Sequence, residues 1–355
     1  MDFVFFDAGG GHRAAANALL HAMDRRGMAE GVRLVNLQEV LDGIDVFRKL
    51  TGIRLQDLYN IALKKGWTLG SGPLLAGMHG VIRLFHRPAV RALEAFWSQD
   101  RPDLADYPPH FWMERQEQYF ICGTARAVEQ AHAMGHPAER VFRVQGMILA
   151  PRFYDLEPLG AEERAAARAR LGFHPEQPVG LVLFGGQGAA VMLDIARRLP
   201  HRQLLMICGH NHKLAGRLRT LAHPAPLFVE GFTREVPRYM QLADYFIGKP
   251  GPGSISEAVA MRLPVIVENN AWTLPQERYN TEWVREQGVG LVLRNFRDIR
   301  PAVERLLEPA AYQRFREATG KIENRAAMEI PSILESLAGG AAPIASAQGA
   351  ACRHP

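Results

Sequence analysis

Short apolar runs that end in glycine-rich turns recur along the chain. The first run covers residues 3–6, and three glycines follow it at residues 9–11. After this turn the apolar residues recur at spacings of three and four, which predicts an amphipathic helix over residues 14–23. A strand, a glycine-rich turn and a helix in this order are typical of the start of an α/β unit.

The second half of the chain repeats this alternation more regularly than the first. Because short apolar runs alternate there with helical patterns, the sequence predicts a doubly wound parallel sheet. Its strands are predicted at residues 179–184, 203–208, 227–229, 245–247, 264–267 and 290–293. Elsewhere, strands are predicted at residues 32–37, 119–122 and 141–144, and a largely helical stretch at residues 45–97.

A change in amino-acid composition near residue 150 indicates a domain boundary. Two prolines stand in the stretch 150–160, and a short polar helix is predicted after it. A length of 355 residues fits two domains. We expect a first domain over residues 1–149, a second over 150–327, a helix over 328–337 and a flexible tail over 338–355.

The chain carries a mild excess of positive charge, with a formal net charge of +5. This charge favours an anionic partner, which could be a phosphate ligand, an anionic lipid surface or nucleic acid. The sequence contains no nucleic-acid-binding motif, so we do not expect nucleic acid as a partner.

The cysteines and the hydropathy pattern indicate the cellular compartment of the protein. Three widely spaced cysteines form neither a disulfide framework nor a zinc-binding motif, which favours a reducing compartment. No signal-peptide pattern opens the sequence, and no apolar run approaches about 18 residues. We therefore expect a cytoplasmic protein.

Three glycine-rich turns each lie between a predicted strand and a predicted helix. They cover residues 9–11, 185–188 and 248–254. Helix starts offer unpaired N–H groups, and glycine lets a phosphate approach the backbone, so each turn is a candidate phosphate site. A tight turn alone explains any one of them equally well. None matches the P-loop pattern or the G-x-G-x-x-G dinucleotide fingerprint.

Polar side chains stand beside these turns. His12 closes the first turn, where it is either a proton acceptor or anion ligand, or a solvent-facing residue at a helix start. Glu257 follows Ser254 by three residues, which is typical of a capping box, although a carboxylate there would also bind paired sugar hydroxyls. The polar residues of segment 276–280 either enter the crevice at the carboxyl ends of the strands or form a polar helix start.

Four spaced segments identify a resemblance. Residues 7–19 read Asp-Ala-Gly-Gly-Gly-His-Arg-Ala-Ala-Ala-Asn-Ala-Leu, and residues 208–211 read Cys-Gly-His-Asn. Residues 249–258 read Lys-Pro-Gly-Pro-Gly-Ser-Ile-Ser-Glu-Ala, and a Gln-Glu-x-x-Asn motif spans residues 276–280. Together they resemble the monogalactosyldiacylglycerol synthases and bacterial diacylglycerol glycosyltransferases of glycosyltransferase family 28. The peptidoglycan N-acetylglucosaminyltransferase is a more distant relative.

The resemblance implies an α/β protein with a GT-B fold, in which two Rossmann-like domains face a cleft. The first domain would bind the acceptor and the second a UDP-sugar, and the helix over residues 328–337 would cross back onto the first domain. The implied reaction is an inverting transfer of a hexose to diacylglycerol or a related lipid, with no cofactor and no metal ion. The more distant relative leaves a second reading, transfer of N-acetylglucosamine to a lipid-linked saccharide.

The same resemblance assigns roles residue by residue. His12 would be the general base, Glu257 would hold the ribose hydroxyls, and Phe232 would frame the uracil through its backbone. The leaving diphosphate would bind to the backbone N–H groups of residues 253–255. Lys249 would add positive charge there, unless it is a structural lysine at a strand end.

The remaining donor-site roles concern the sugar and the cleft. Gln276 and Glu277 would bind the sugar hydroxyls, and Asn280 would support their loop. Gly186 and Gly188 would line the interdomain side of the cleft. The full set of predicted donor-site residues is Gly10, Gly11, Gly186, Gly188, Phe232, Lys249, Gly251, Gly253, Ser254, Ile255, Glu257, Gln276, Glu277 and Asn280.

The sequence departs from the family near residues 102–104. Roughly thirty residues, about one strand–helix–strand unit, are missing there relative to the family. We therefore expect a shortened first sheet with an exposed edge. Asp103 and His110 either line the acceptor pocket or are solvated loop residues. The departure leaves open a third reading, an inactive protein that binds UDP-sugars at a membrane.

Basic and aromatic residues are interleaved between residues 47 and 96, where arginines and lysines stand beside Trp67 and Phe85. Such a surface suits anionic lipid headgroups, although helices packed on their own domain with solvated basic faces have the same pattern. Since a lipid acceptor requires access to a bilayer, we expect a peripheral protein on the inner face of the cell membrane.

Overall fold

The computed structural model describes residues 1–5, 11–37, 39, 102–105, 118–271, 273–274 and 277–338, and for residues 102–105 it describes the backbone only. Several sequence predictions lie outside these residues. They are the helical and basic stretch between residues 45 and 97, Gly10, His110, Gln276 and the tail from residue 339.

The first half of the chain contains parallel strands in two groups. Its elements are β1 (Asp2–Phe5), α1 (Gly11–Asp24), β2 (Arg33–Asn36), β3 (Pro102–Ala105), β4 (Tyr119–Cys122), α2 (Ala125–Ala133) and β5 (Val141–Arg143). Strand β1 pairs with β2, and β4 lies between β3 and β5 in a second sheet. The alternation of strand and helix is confirmed. The missing unit near residue 102 stays a prediction.

The second half forms a six-stranded sheet in which every pairing is parallel. Its strands are β6 (Val179–Leu183), β7 (Gln203–Ile207), β8 (Leu227–Glu230), β9 (Tyr245–Gly248), β10 (Val265–Glu268) and β11 (Gly290–Leu293). The helices of the second half are α3 (Arg152–Asp155), α4 (Ala161–Arg170), α5 (Val191–Arg198), α6 (His212–Arg219), α7 (Val236–Leu242), α8 (Pro252–Ala260), α9 (Arg278–Glu286), α10 (Ile299–Leu306), α11 (Pro309–Lys321) and α12 (Ala326–Ala338).

Helices cover both faces of this sheet, which explains its uninterrupted apolar strands. Successive residues of a strand point to opposite faces, so Leu181 and Val182 enter two different apolar clusters. Leu205 and Met206 on the next strand divide in the same way. All four side chains are fully buried. A parallel sheet buried on both faces is expected to have near-continuous apolar strands.

The strand order places a crevice at one edge of the sheet. The order is β11-β10-β9-β6-β7-β8, so the chain moves outward from β6 to β8 and then crosses to β9 on the other side of β6. This reversal between β6 and β9 is a topological switch point. In open parallel sheets, ligands bind outside the carboxyl ends of the strands at such a point.

Helix α12, the last described element, packs against the first half of the chain. Ile330 and Leu334 of α12 share an apolar cluster with Leu19 and Met23 of α1. Its first turn is anchored by a hydrogen bond from Gln145 N to Glu329 Oε2 at 2.8 Å. Neither α12 nor any other helix in the described ranges is long and apolar enough to span a membrane.

Candidate functional site

Four loops meet at the carboxyl ends of the central strands. They follow β6, β7, β8 and β9, the strands on either side of the switch point. Three of these loops contain motif residues singled out in the sequence, and the fourth contains Phe232. The fold therefore brings most of the predicted donor-site residues to one edge of the sheet.

The turns after β6 and β7 pack backbone against backbone. His210 N donates a hydrogen bond to Gly186 O at 2.9 Å. Gly209 has a φ of +57°, and a Cβ atom there would overlap the Gly186 carbonyl. Gly188 has a φ of +58°, and a Cβ atom there would lie 2.7 Å from Cys208 O. Both positions require glycine, because L side chains avoid this backbone region and the space is already filled.

Replacing Gly209 with alanine should destabilise the protein by roughly 2–4 kcal/mol, because left-handed strain adds to overlap with rigid backbone. The measurement is the free energy of unfolding by denaturant titration. Gly216→Ala is the matched control, since Gly216 lies in α6 with open space around its Cβ position. That change should stabilise by about 0.5–1 kcal/mol. Equal effects of the two substitutions would contradict the packing described for the turns.

Helix α8 starts at the switch point with unoccupied N–H groups. Its N-cap is Gly251, and Pro252 is its first residue. Ile255 N donates to Gly251 O at 3.1 Å, so within the first turn the N–H groups free of intrahelical acceptors are those of Gly253 and Ser254. A Cβ atom on Gly253 would meet no atom within 4 Å. The start of the helix is therefore open to an anion.

Two sequence interpretations of this segment are corrected. Ser254 is not the N-cap, because proline is pre-organised for the first helical position and the helix begins two residues earlier, at Pro252. Glu257 consequently lies in the second turn, and the capping-box interpretation is wrong. Of the three N–H groups predicted for the diphosphate, that of Ile255 is already used within the helix.

Burial raises the pKa of Glu257 to about 7, and the attraction of Arg152 only partly opposes this. The folded protein binds the proton of the Glu257 carboxyl group more tightly than the unfolded chain does. This tighter binding stabilises the fold fully below the unfolded-state pKa, and the stabilisation is lost as pH rises through about 7. Glu257→Gln, which stays uncharged, should therefore match the wild type near pH 5 and exceed its stability by about 1–3 kcal/mol near pH 8.

Thermal unfolding across this pH range measures the difference for Glu257. Glu282→Gln serves as the control, because Glu282 is exposed on the surface of α9. A Glu257→Gln advantage that is the same at both pH values would mean that the carboxyl group does not titrate near neutrality.

An ion pair joins the turn after β9 to the start of α9. Lys249 Nζ lies 2.7 Å from Glu277 Oε1, and the Glu277 side chain is only 11% exposed. Asn280 Nδ2 donates to Pro250 O at 2.8 Å, which ties the same two segments through the backbone. A Cβ atom on Gly251 would lie 3.3 Å from Lys249 Cε, so glycine there leaves room for the lysine.

Phe232 lies beside these turns with 54% of its surface exposed. Its ring stacks on the imidazole of His210, with centroids 4.1 Å apart and planes inclined by 15°. Sequence reasoning assigned no role to His210, although it lies in the Cys-Gly-His-Asn segment at residues 208–211. No sequence signal pointed to Glu230, which accepts a hydrogen bond from Gly231 N, or to Tyr239, which donates one to Glu230.

His12 is the second residue of α1, in the first half of the chain. Gly11 opens that helix, and a Cβ atom on it would meet nothing within 4 Å. Surrounding protein desolvates the His12 imidazole and lowers its pKa below the ordinary value. A neutral imidazole at neutral pH is suited to accept a proton. The described residues contain no group of three or more His, Cys, Asp or Glu side chains placed to hold a metal.

Residues 181–323 match the glycosyltransferase family 28 C-terminal domain. The matched segment is 143 of the chain's 355 residues. It contains the whole switch-point crevice, and the match confirms the resemblance found in the motifs. The monogalactosyldiacylglycerol synthase of spinach chloroplasts is 29% identical over 211 residues. That alignment covers 56% of this chain and 39% of the spinach protein, so the chain matches about two fifths of its relative's length.

Solved structures are similar in fold over nearly the whole chain. Acinetobacter baumannii MurG aligns with a TM-score of 0.53 at 12% identity, covering 94% of this chain and 99% of MurG. The Anabaena protein Alr3699/HepE, solved with UDP-glucose, aligns with a TM-score of 0.52 at 14% identity, covering 96% and 100%. MurG is a GT-B glycosyltransferase, which confirms the predicted fold.

Proposed function

We propose that this protein is an inverting, metal-independent glycosyltransferase that moves a hexose from a UDP-sugar to diacylglycerol or a related lipid. The observation that carries the proposal is the convergence of an open helix start, a held carboxylate and glycine turns at the switch point of a family 28 domain. The named activity of the spinach relative supports a lipid acceptor.

The start of α8 is suited to hold the donor diphosphate. The N–H groups of Gly253 and Ser254 face outward, and the helix dipole adds partial positive charge at the same place. As the sugar leaves, negative charge grows on the diphosphate, and donors already in position stabilise it without reorganisation. The Anabaena neighbour with UDP-glucose supports a UDP-sugar as the donor class.

Two carboxylates flank this helix start and suit the hydroxyl groups of the donor. Glu257 would accept hydrogen bonds from the ribose. Glu277 would accept them from the sugar, through the oxygen that does not face Lys249. Because Lys249 is paired with Glu277 at 2.7 Å, its charge acts mainly by orienting that carboxylate.

Transfer then requires a base next to the hydroxyl group of the lipid. The hydroxyl oxygen of the lipid attacks the anomeric carbon from the face opposite the diphosphate, and His12 takes the hydroxyl proton. The bond between the anomeric carbon and the diphosphate oxygen breaks, and UDP leaves with the electron pair. Attack from the opposite face inverts the configuration at the anomeric carbon. No step needs a metal ion, because the charge on UDP is met by backbone N–H groups.

The lipid acceptor places the proposed reaction at the inner face of the cell membrane. The net charge of +5 favours association with anionic lipid. The basic and aromatic segment between residues 47 and 96, which lies outside the described residues, is the predicted contact surface.

The proposal is tested by UDP release from UDP-galactose, UDP-glucose and UDP-N-acetylglucosamine, with and without diacylglycerol in anionic vesicles. We expect release from one hexose donor that depends on diacylglycerol. Release only from UDP-N-acetylglucosamine with a lipid-linked saccharide would favour the second reading. Saturable UDP binding without release from any donor would instead favour an inactive binder.

A further inference from the structure

The loop after β8 presents an aromatic ring that is both exposed and fixed. Among the described residues, Phe232 is the large apolar residue with the greatest exposed fraction, 54%. Its ring nevertheless has a defined orientation, because His210 stacks on one face at 4.1 Å and 15°. Stacked aromatic pairs add attraction beyond the area they bury. The ring is therefore held beside the switch-point crevice.

The stacking partner is itself anchored to the glycine turns. His210 N donates to Gly186 O at 2.9 Å, and the residue before it is the close-packed Gly209. Asn211 follows and caps α6, with Oδ1 accepting from Leu214 N at 3.1 Å. The backbone on both sides of His210 is thus fixed, so its imidazole is a rigid support for Phe232.

A second set of contacts holds the same loop. The carboxylate of Glu230 uses both oxygens: Oε1 accepts from Gly231 N at 2.8 Å, and Oε2 accepts from the Tyr239 hydroxyl at 2.6 Å. Tyr239 lies on α7, where its ring also packs against Phe228 with centroids 5.9 Å apart. Burial and the adjacent carboxylates raise the pKa of Tyr239, so the phenol keeps the proton that it donates.

We propose that His210 and the Glu230–Tyr239 pair are positioning residues for the Gly231–Phe232 loop. They fix its backbone and the Phe232 ring in the arrangement that binds the nucleobase of the donor. This inference rests on the proposed function, because it assumes a UDP-sugar in the crevice. None of the three residues touches the reacting atoms, so their effect falls on donor affinity rather than on the chemical step.

The test separates recognition of the base from recognition of the diphosphate. Calorimetry gives the Kd of UDP, and competition against UDP gives the affinity of inorganic pyrophosphate, which lacks a base. His210→Ala should weaken UDP binding roughly three- to tenfold, the range expected for a lost aromatic pair, and should leave pyrophosphate binding unchanged. His210→Phe, which keeps a ring at this position, should restore UDP binding.

Two further variants complete the design. Tyr239→Phe removes one hydroxyl and keeps the ring, and should weaken UDP binding by roughly two- to fivefold, as expected for one hydrogen bond. His212→Ala changes an exposed histidine two residues from His210, and should have no effect. In turnover assays, His210→Ala should raise the KM for the UDP-sugar while kcat stays close to that of the wild type.

Two results would overturn the inference by itself. The first is a wild-type protein that binds UDP together with a His210→Ala variant that binds it equally well. The second is an equal loss of UDP and pyrophosphate affinity that His210→Phe does not restore, since that pattern belongs to a general structural role. A wild-type protein with no affinity for UDP would instead overturn the proposed function, and this inference would fall with it.

Discussion

Replacing His12 with alanine should lower the rate of sugar transfer roughly 10²- to 10⁴-fold, the range typical of a lost general base. UDP affinity should stay within about twofold of the wild type, because the turns proposed to bind UDP lie in the other half of the chain. The measurements are acceptor-dependent turnover and calorimetric binding of UDP.

The control for His12 lies on the same helix. His21 is exposed in the last turn of α1, and His21→Ala should leave turnover unchanged. Because desolvation lowers the pKa of His12, the imidazole is neutral at pH 7 and becomes protonated only at lower pH. Activity should therefore be lost on the acid side of the ordinary histidine pKa. Near-normal turnover of His12→Ala would contradict the assignment of His12 as the general base.

Glu277→Ala should lower kcat/KM roughly 10²-fold or more, because it removes a carboxylate proposed to contact the sugar and leaves Lys249 without its partner. Lys249→Met should have a similar effect, since Glu277 is then a poorly exposed carboxylate without a counter-charge. As the two residues act as one unit, the double variant should lose little more than either single variant.

Steady-state kinetics of the two single variants and the double variant form a double-mutant cycle for this pair. Glu282→Ala, an exposed carboxylate on the same helix, is the control and should retain wild-type kinetics. Losses that simply add in the double variant would show that Lys249 and Glu277 act independently. In that case Lys249 would contact the diphosphate directly rather than orient the carboxylate.

The strands of the second half could be predicted to within about one residue. The run 179–184 is apolar without interruption and ends at glycine, and the structure has a buried strand at Val179–Leu183. Such runs are readable because a parallel sheet covered on both faces needs apolar residues at every position. The predicted strand at 290–293 was also placed correctly, although β11 is an edge strand whose residues are only partly buried.

The start of α8 shows where local signals compete. Serine followed three residues later by glutamate matched one rule for a helix start, and proline at the first helical position matched another. Both signals lie within a few residues of each other, and the sequence alone does not rank them. The structure has the helix beginning at Pro252, which moves Glu257 away from the cap.

The contacts between side chains in the site could not be predicted from the sequence, for a different reason. Lys249 and Glu277 are separated by 27 intervening residues, and His210 and Phe232 by 21. Each pair forms only because the strands before its two members bring their carboxyl ends to the same edge of the sheet. Motifs indicated which segments matter, whereas contacts between segments depend on the strand order.

The most direct measurement is transfer of a radiolabelled hexose from its UDP-sugar into organic-extractable lipid, using the full chain with diacylglycerol in anionic vesicles. The account predicts a labelled glycosyl-diacylglycerol that forms with the wild type and not with His12→Ala. Release of labelled free sugar without labelled lipid, or no conversion despite UDP binding, would contradict the central claim that this protein glycosylates a lipid.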